Sequence, residues 1–218
     1  QNGTELGIDC GGSMCSNLCA IEIQPVTTLW SRSFAVAGGV YNAIAYIENK
    51  NDAAVQIFPY EFRLYDANGI LIARRGGSTV LPPLGRYAIV ETGIVIGDSP
   101  VARTTFDFTS APVTWYKVPN EQKTVKLLSS SIAFDATSPI PKLTATLKNT
   151  SPRLSLDNTV IAAILYDADN NAVNVSRTLV QHLDPFASTD IAFTWPQSLT
   201  STVTRYEILP IIDVFRAR

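Results

Sequence analysis

Tyr60-Glu61-Phe62-Arg63-Leu64-Tyr65-Asp66-Ala67-Asn68-Gly69 alternates apolar and polar side chains and then breaks into a turn. Alternation at period two places one set of side chains on each face of a strand. Aromatic and branched residues suit that pleated surface. Asn and Gly tolerate positive φ, so 66–69 predicts a tight hairpin turn. The same alternation runs through Val40-Tyr41-Asn42-Ala43-Ile44-Ala45-Tyr46-Ile47, Thr104-Thr105-Phe106-Asp107-Phe108 and Leu143-Thr144-Ala145-Thr146-Leu147. No window of about 12 residues keeps an uninterrupted helical stripe. The expectation is an all-β chain of half-buried antiparallel strands, forming sandwiches rather than βαβ units.

Working outward, the landmarks recur. Tyr65-Asp66-Ala67-Asn68-Gly69 matches Tyr166-Asp167-Ala168-Asp169-Asn170, an offset of 101. Asn49 matches Asn149, an offset of 100, and Leu81-Pro82-Pro83-Leu84 matches Leu183-Asp184-Pro185-Phe186, an offset of 102. A sandwich domain uses about 100 residues, so the shift predicts a duplication. The expected organisation is a cysteine-containing N-terminal segment at 1–22, a first β-sandwich at 23–119 and a second at 120–218. The polar, proline-bearing stretch Val118-Pro119-Asn120-Glu121-Gln122-Lys123 marks the boundary.

Phe62-Arg63-Leu64-Tyr65-Asp66 resembles the F-x-L-Y-D signature of small bacterial immunoglobulin-like domains, and Ile164-Leu165-Tyr166-Asp167 is similar to a degenerate copy. The resemblance implies an extracytoplasmic sandwich of the immunoglobulin or fibronectin III kind, without catalytic activity.

The chain has 218 residues, of which 46% are hydrophobic and 17% charged, with a formal net charge of −2. That composition supports a core and argues against disorder. No basic block stands out, so nucleic acid is not an expected partner. No apolar run approaches the roughly 18–20 residues of a membrane span. All three cysteines, Cys10, Cys15 and Cys19, fall in one short polar segment. Such a segment cannot bury a core of its own, which predicts disulfide staples and an extracellular setting. The odd cysteine predicts a partner upstream or on another chain. A zinc site would want four ligands, and the one histidine, His182, is remote in sequence. Gln1-Asn2-Gly3-Thr4-Glu5-Leu6-Gly7-Ile8-Asp9-Cys10-Gly11-Gly12 resembles the N-G-x-E-x-G-x-D-C-G-G segment of secreted and surface proteins of environmental bacteria. That resemblance, and the start at Gln1 without a Met, imply a processed or trimmed beginning.

No catalytic constellation is expected. His182 precedes a proline corner as a loop histidine, and no G-x-S-x-G elbow exists. Glu48, Asp66, Asp167 and Glu207 fall at turns and strand ends rather than as a facing pair for glycoside hydrolysis. Asp167, Asp169 and Asn171 are a weak calcium candidate, but Ala172 and Thr178 stand where an EF-hand loop needs Gly and Glu. Asn2, Asn149 and Asn174 head N-x-S/T sequons. Trp30, Trp115 and Trp195 are possible surface aromatics, although packing is the favoured role. No cofactor is expected. The chain therefore reads as a cell-surface, pilus-like or adhesin-like subunit. Tandem sandwiches make rods, so self-association into a homopolymer or attachment to a larger surface protein is expected. The apolar run Tyr206–Phe215 closes the second repeat or lies partly in another subunit. The alternative is a secreted carbohydrate- or ligand-binding module.

Overall fold

A computed structural model describes residues 17–19, 23–97, 99–109 and 112–218. The all-β expectation holds. The first unit contains β1 (Thr27–Ala37), β2 (Val40–Asn49), β3 (Ala53–Tyr65), β4 (Leu71–Leu81), β5 (Gly85–Val95), β6 (Arg103–Phe108) and β7 (Trp115–Lys117). A single helical turn, α1 (Asn120–Lys123), leads into the second unit. That unit contains β8 (Leu127–Asp135), β9 (Lys142–Asn149), β10 (Leu156–Tyr166), β11 (Ala172–Leu183), β12 (Ser188–Thr194) and β13 (Arg205–Ile211).

The two units share one topology. Sheet β1-β2-β5 faces sheet β4-β3-β6 in the first, and β8-β9-β12 faces β11-β10-β13 in the second. All pairings are antiparallel, and β7 adds beside the start of β3. The duplicated landmarks do duplicated work. The Asn49 amide donates to the carbonyls of Ala53 and Pro82, and its Oδ1 accepts the Asn51 N–H. The Asn149 amide donates to the carbonyls of Leu154, Leu183 and Asp184, and its Oδ1 accepts the Ser151 N–H. Each asparagine thus satisfies carbonyls that the crossing between sheets would otherwise bury unpaired. The proline corners match too: Leu84 and Phe186 both adopt positive φ, and their N–H groups donate to Asn51 and Ser151.

Inside the first sandwich, Phe58, Tyr60, Phe62 and Leu64 of β3 point inward. Glu61 and Arg63 on the other face pair with each other, and Arg63 also reaches Asp107. That strand obeys its sequence pattern.

Strands β2 and β10 do not. Every residue from Asn42 to Ile47, and from Ile161 to Tyr166, is buried. The expectation of half-buried strands fails here because the outer face of β1-β2-β5 packs against the outer face of β11-β10-β13. Ile44, Tyr46, Ala88 and Val90 meet Ala162, Ile164, Tyr166, Ala172 and Val175 in a third apolar layer. Burying each large aliphatic side chain there stabilises by about 1.5–3 kcal/mol. Hydrogen bonds cross the layer as well: Arg32 to the Ala172 carbonyl, Asn42 to the Val175 carbonyl, Arg177 to the Val90 carbonyl and Tyr46 to the Glu207 carboxylate. The sandwiches therefore stack sheet on sheet, not end to end as a rod would require.

The C-terminal run is part of this junction. Tyr206–Ile211 pair with β10. Beyond them, Ile212 and Ala217 pack on Val125 and Leu156, while Val214 packs on Ala54 and Val118. Phe215 meets Tyr116 edge-to-face at 5.5 Å. The placement of this run in another subunit is overturned: its apolar side chains are consumed between the chain's own sandwiches.

Candidate functional site

The junction concentrates the polar chemistry of the molecule. Glu207 on β13 accepts a hydrogen bond from Tyr46 at Oε1, 3.0 Å, and from Tyr166 at Oε2, 2.9 Å. Tyr46 comes from the first sandwich and Tyr166 from the second. Trp30 stacks on Tyr46 at 5.4 Å, and the Arg205 guanidinium lies 3.7 Å over the Tyr166 ring. Arg205 also approaches the Glu207 carboxylate at 3.9 Å. Burial, followed by the Glu207 charge and hydrogen bond, pushes the Tyr46 hydroxyl up to about 12. Burial likewise raises Tyr166, again with Glu207 adding to it. Both hydroxyls stay protonated near neutrality and serve as donors. The Arg–Tyr contact is itself duplicated, since Arg103 lies 4.4 Å over Tyr65.

A cleft of about 290 Å³ opens beside this clamp. The proline corner 82–84, α1, the start of β8 and the end of β13 surround it. Its walls are mostly apolar, with Arg86, Lys123 and Lys126 as the charged residues.

The acids weighed from the sequence have structural work. Glu48 is held by Arg86 at 3.1 Å. Asp66 Oδ1 accepts the N–H groups of Asn68 and Ile70. Asp167 Oδ1 does the same for Asp169 and Asn171, at 3.0 and 2.8 Å. Asp167, Asp169 and Asn171, the weak calcium candidate, lie in a turn that the Asp167 carboxylate closes on two backbone amides. Among the described residues no three His, Cys, Asp or Glu side chains gather for a metal ion.

Asn149 is fully buried, so the sequon there is corrected: its amide nitrogen already donates to three carbonyls and no glycan could reach it. Asn174 lies on β11, half-buried, with its Oδ1 accepting the Val175 N–H. Asn2, Cys10 and Cys15 lie outside the described residues. Cys19 is buried beside the strand edge where Asn17 bridges to Tyr116.

Of the tryptophans, Trp195 is 1% exposed and Trp115 8%. Trp195 meets Phe134 edge-to-face, and Trp115 meets Phe58. Trp30 is half-buried in the junction. The three cannot form a surface platform, because each is used as packing. His182 is not in a loop. It ends β11 between two carboxylates, with Nδ1 2.6 Å from Asp157 and Nε2 3.1 Å from Asp184. These bonds, Asp157 first, raise its pKa, and the His182 bond in turn holds Asp157 below its ordinary range.

Sequence reasoning missed Glu91, which is buried on β5, accepts from the Tyr60 hydroxyl at 2.7 Å and pairs with Arg75 at 3.0 Å. It also missed the clamp. No local motif announces either, since the partners are 16 to 161 positions apart.

No protein-family model matches the chain, and no curated protein matches it. Among solved structures, the crystal structure of red sea bream transglutaminase is similar at a TM-score of 0.28 and 13% identity. The match covers 86% of this chain and 29% of that one, so the chain spans less than a third of its length. A likeness at that level carries no functional argument.

Proposed function

We propose that the chain is an extracellular interaction protein, a subunit of a cell-surface assembly or filament, that presents a rigid double sandwich. The observation that supports this most is the apolar layer between the sandwiches, closed by Tyr46, Tyr166 and Glu207. A layer of that kind makes two modules one stiff body, and stiffness suits a load-bearing or partner-presenting role. The F-x-L-Y-D resemblance at Phe62–Asp66 and the cysteine segment support the extracellular setting. In this proposal Cys10, Cys15 and Cys19 supply disulfides, with the odd thiol joining a neighbouring chain. The carbohydrate-module alternative loses its platform, since its tryptophans are spent on packing.

Light scattering of the native protein, with and without reductant, tests the proposal. A polymer that collapses under reductant supports assembly through the odd cysteine. A polymer that persists supports surface packing between subunits. A uniform species near 23.7 kDa under both conditions removes the filament proposal.

A further inference from the structure

We infer that the end of the molecule carrying Leu84 and Phe186 docks on an anionic lipid surface, with its apolar tips entering the interface and its lysine and arginine side chains meeting the headgroups. Docking there goes beyond the assembly proposal and needs no polymerisation. Leu84 and Phe186 close the equivalent proline corners of the two sandwiches. Both adopt positive φ, 45° and 58°, a region that strains a large side chain and that Asn or Gly enters freely. Both are nevertheless large and apolar, and they are 61% and 59% exposed. Neither the strain nor the exposure stabilises the fold, yet the combination recurs in both repeats. Strain kept at an exposed tip points to function.

The two corners lie at one end. Thr150 donates its N–H and its hydroxyl to the Lys126 carbonyl, and Ser151 beside it accepts the Phe186 N–H. Lys126 in turn shares the walls of the cleft with Leu84 and Leu128. Strand register extends the patch. Leu128 of β8 stands opposite Lys148 of β9, and Lys148 opposite Ser188 of β12, two residues after Phe186. Exposure alternates into β8: Val125 is buried, Lys126 exposed, Leu127 half-buried and Leu128 56% exposed. Residues two apart on a strand, and residues directly opposite each other, share a face. Lys126, Leu128 and Lys148 therefore lie on the same side of the sheet.

Charge selects the occupant. Lys126, Lys148 and Arg153 are exposed and make no ion pair among the described residues. Arg153 is tied beside Phe186 through Ser151, whose hydroxyl accepts the Arg153 N–H. The neighbouring carboxylates Glu48, Asp52, Asp184 and Asp190 are engaged, by Arg86, Lys123, His182 and Thr146. Free cations and exposed apolar side chains are thus offered together from one direction. A bilayer surface takes both at once, because its anionic headgroups overlie its acyl region. Long basic side chains stay with the headgroups while apolar neighbours go deeper. Separate tips also suit a fluid layer, whereas a protein interface demands a continuous, shape-matched core.

Vesicles of phosphatidylcholine and phosphatidylglycerol in equal parts, sedimented with the full chain, should carry it down. Vesicles of phosphatidylcholine alone should not. Leu84→Asn combined with Phe186→Asn should lower binding roughly tenfold. Asn suits positive φ, so the melting temperature of that variant should hold or rise. Lys126→Glu combined with Arg153→Glu should also weaken binding roughly tenfold, and added salt should weaken that of the parent. Failure to sediment with the mixed vesicles overturns lipid docking and leaves the tips to a protein partner. Unchanged binding in either double variant overturns it as well, and so does equal binding to phosphatidylcholine alone. Vesicle binding by a chain that light scattering shows as a uniform species near 23.7 kDa would sink the filament proposal and leave this surface standing.

Discussion

Tyr46 and Tyr166, from different sandwiches, donate their hydroxyls to the two oxygens of one carboxylate, that of Glu207. The bond network ties β2 to β10 and β13 across the apolar layer. Removing the acceptor leaves both hydroxyls at a mostly buried seam without their partner. Glu207→Leu should therefore cost about 1–3 kcal/mol. Tyr46→Phe, which removes one donor and leaves the carboxylate with Tyr166 and Arg205, should cost less. Urea denaturation of the three proteins checks the ranking.

Alkaline titration reads the same burial. Tyr46 is raised to about 12, and burial also raises Tyr60, Tyr87 and Tyr166. A tyrosine whose folded pKa exceeds its unfolded value contributes stability that is present below the unfolded pKa of about 10 and lost as pH rises through the folded one. Stability should fall from about pH 10 upward. In absorbance at 295 nm, these tyrosines should ionise late and together with unfolding. Early, gradual ionisation of all eight tyrosines would contradict the burial described here.

His182 works in the opposite half of the pH scale. Its raised pKa makes its contribution full below about 6.5 and lost as pH rises through the folded value. Asp157 is lowered, so its contribution is present above about 4 and lost as pH falls through its folded value. The pair is most stabilising between those limits. Both groups are solvated, so the effect is small. The melting-temperature difference between the parent and His182→Gln should be larger near pH 5.5 than near pH 8.5. An equal difference at both would remove the ion pair from the account.

What the sequence revealed follows from which interactions are local. Alternation in Tyr60–Tyr65 and the Asp66 turn were legible because strand faces and turn bonds span a few residues. The duplication was legible because Asn49 and Asn149 must each serve the same crossing. The stacking of the sandwiches was hidden. The alternation in Val40–Ile47 predicts a strand with one solvent-facing side, yet Asn42 and Tyr46 are both spent on the second sandwich. The unbroken apolar run Ile161-Ala162-Ala163-Ile164-Leu165 was the available signal, since a strand buried on both faces has no polar side. The sequon at Asn149 misled for a related reason: a three-residue pattern carries no information on burial, and Asn149 is fully buried.

Gly77 provides the sharpest local test. A Cβ at this position would stand 2.6 Å from the Tyr60 hydroxyl oxygen and 2.8 Å from Glu91 Oε1. The obstacle is not a flexible chain end. Tyr60 is buried in the first core, and its hydroxyl is held by Glu91, which Arg75 holds in turn. Making room means moving a packed ring or breaking a buried carboxylate's bonds. Gly77→Ala should destabilise by about 1–3 kcal/mol, the usual cost of overpacking. Gly76 is the control, since its Cβ would meet only the Tyr60 carbonyl at 3.7 Å, an ordinary contact. Gly76→Ala should leave the denaturation midpoint nearly unchanged. If Tyr60→Phe rescues Gly77→Ala by more than it alters the parent, the clash is with the hydroxyl itself. If it does not, the ring and Glu91 carry the strain.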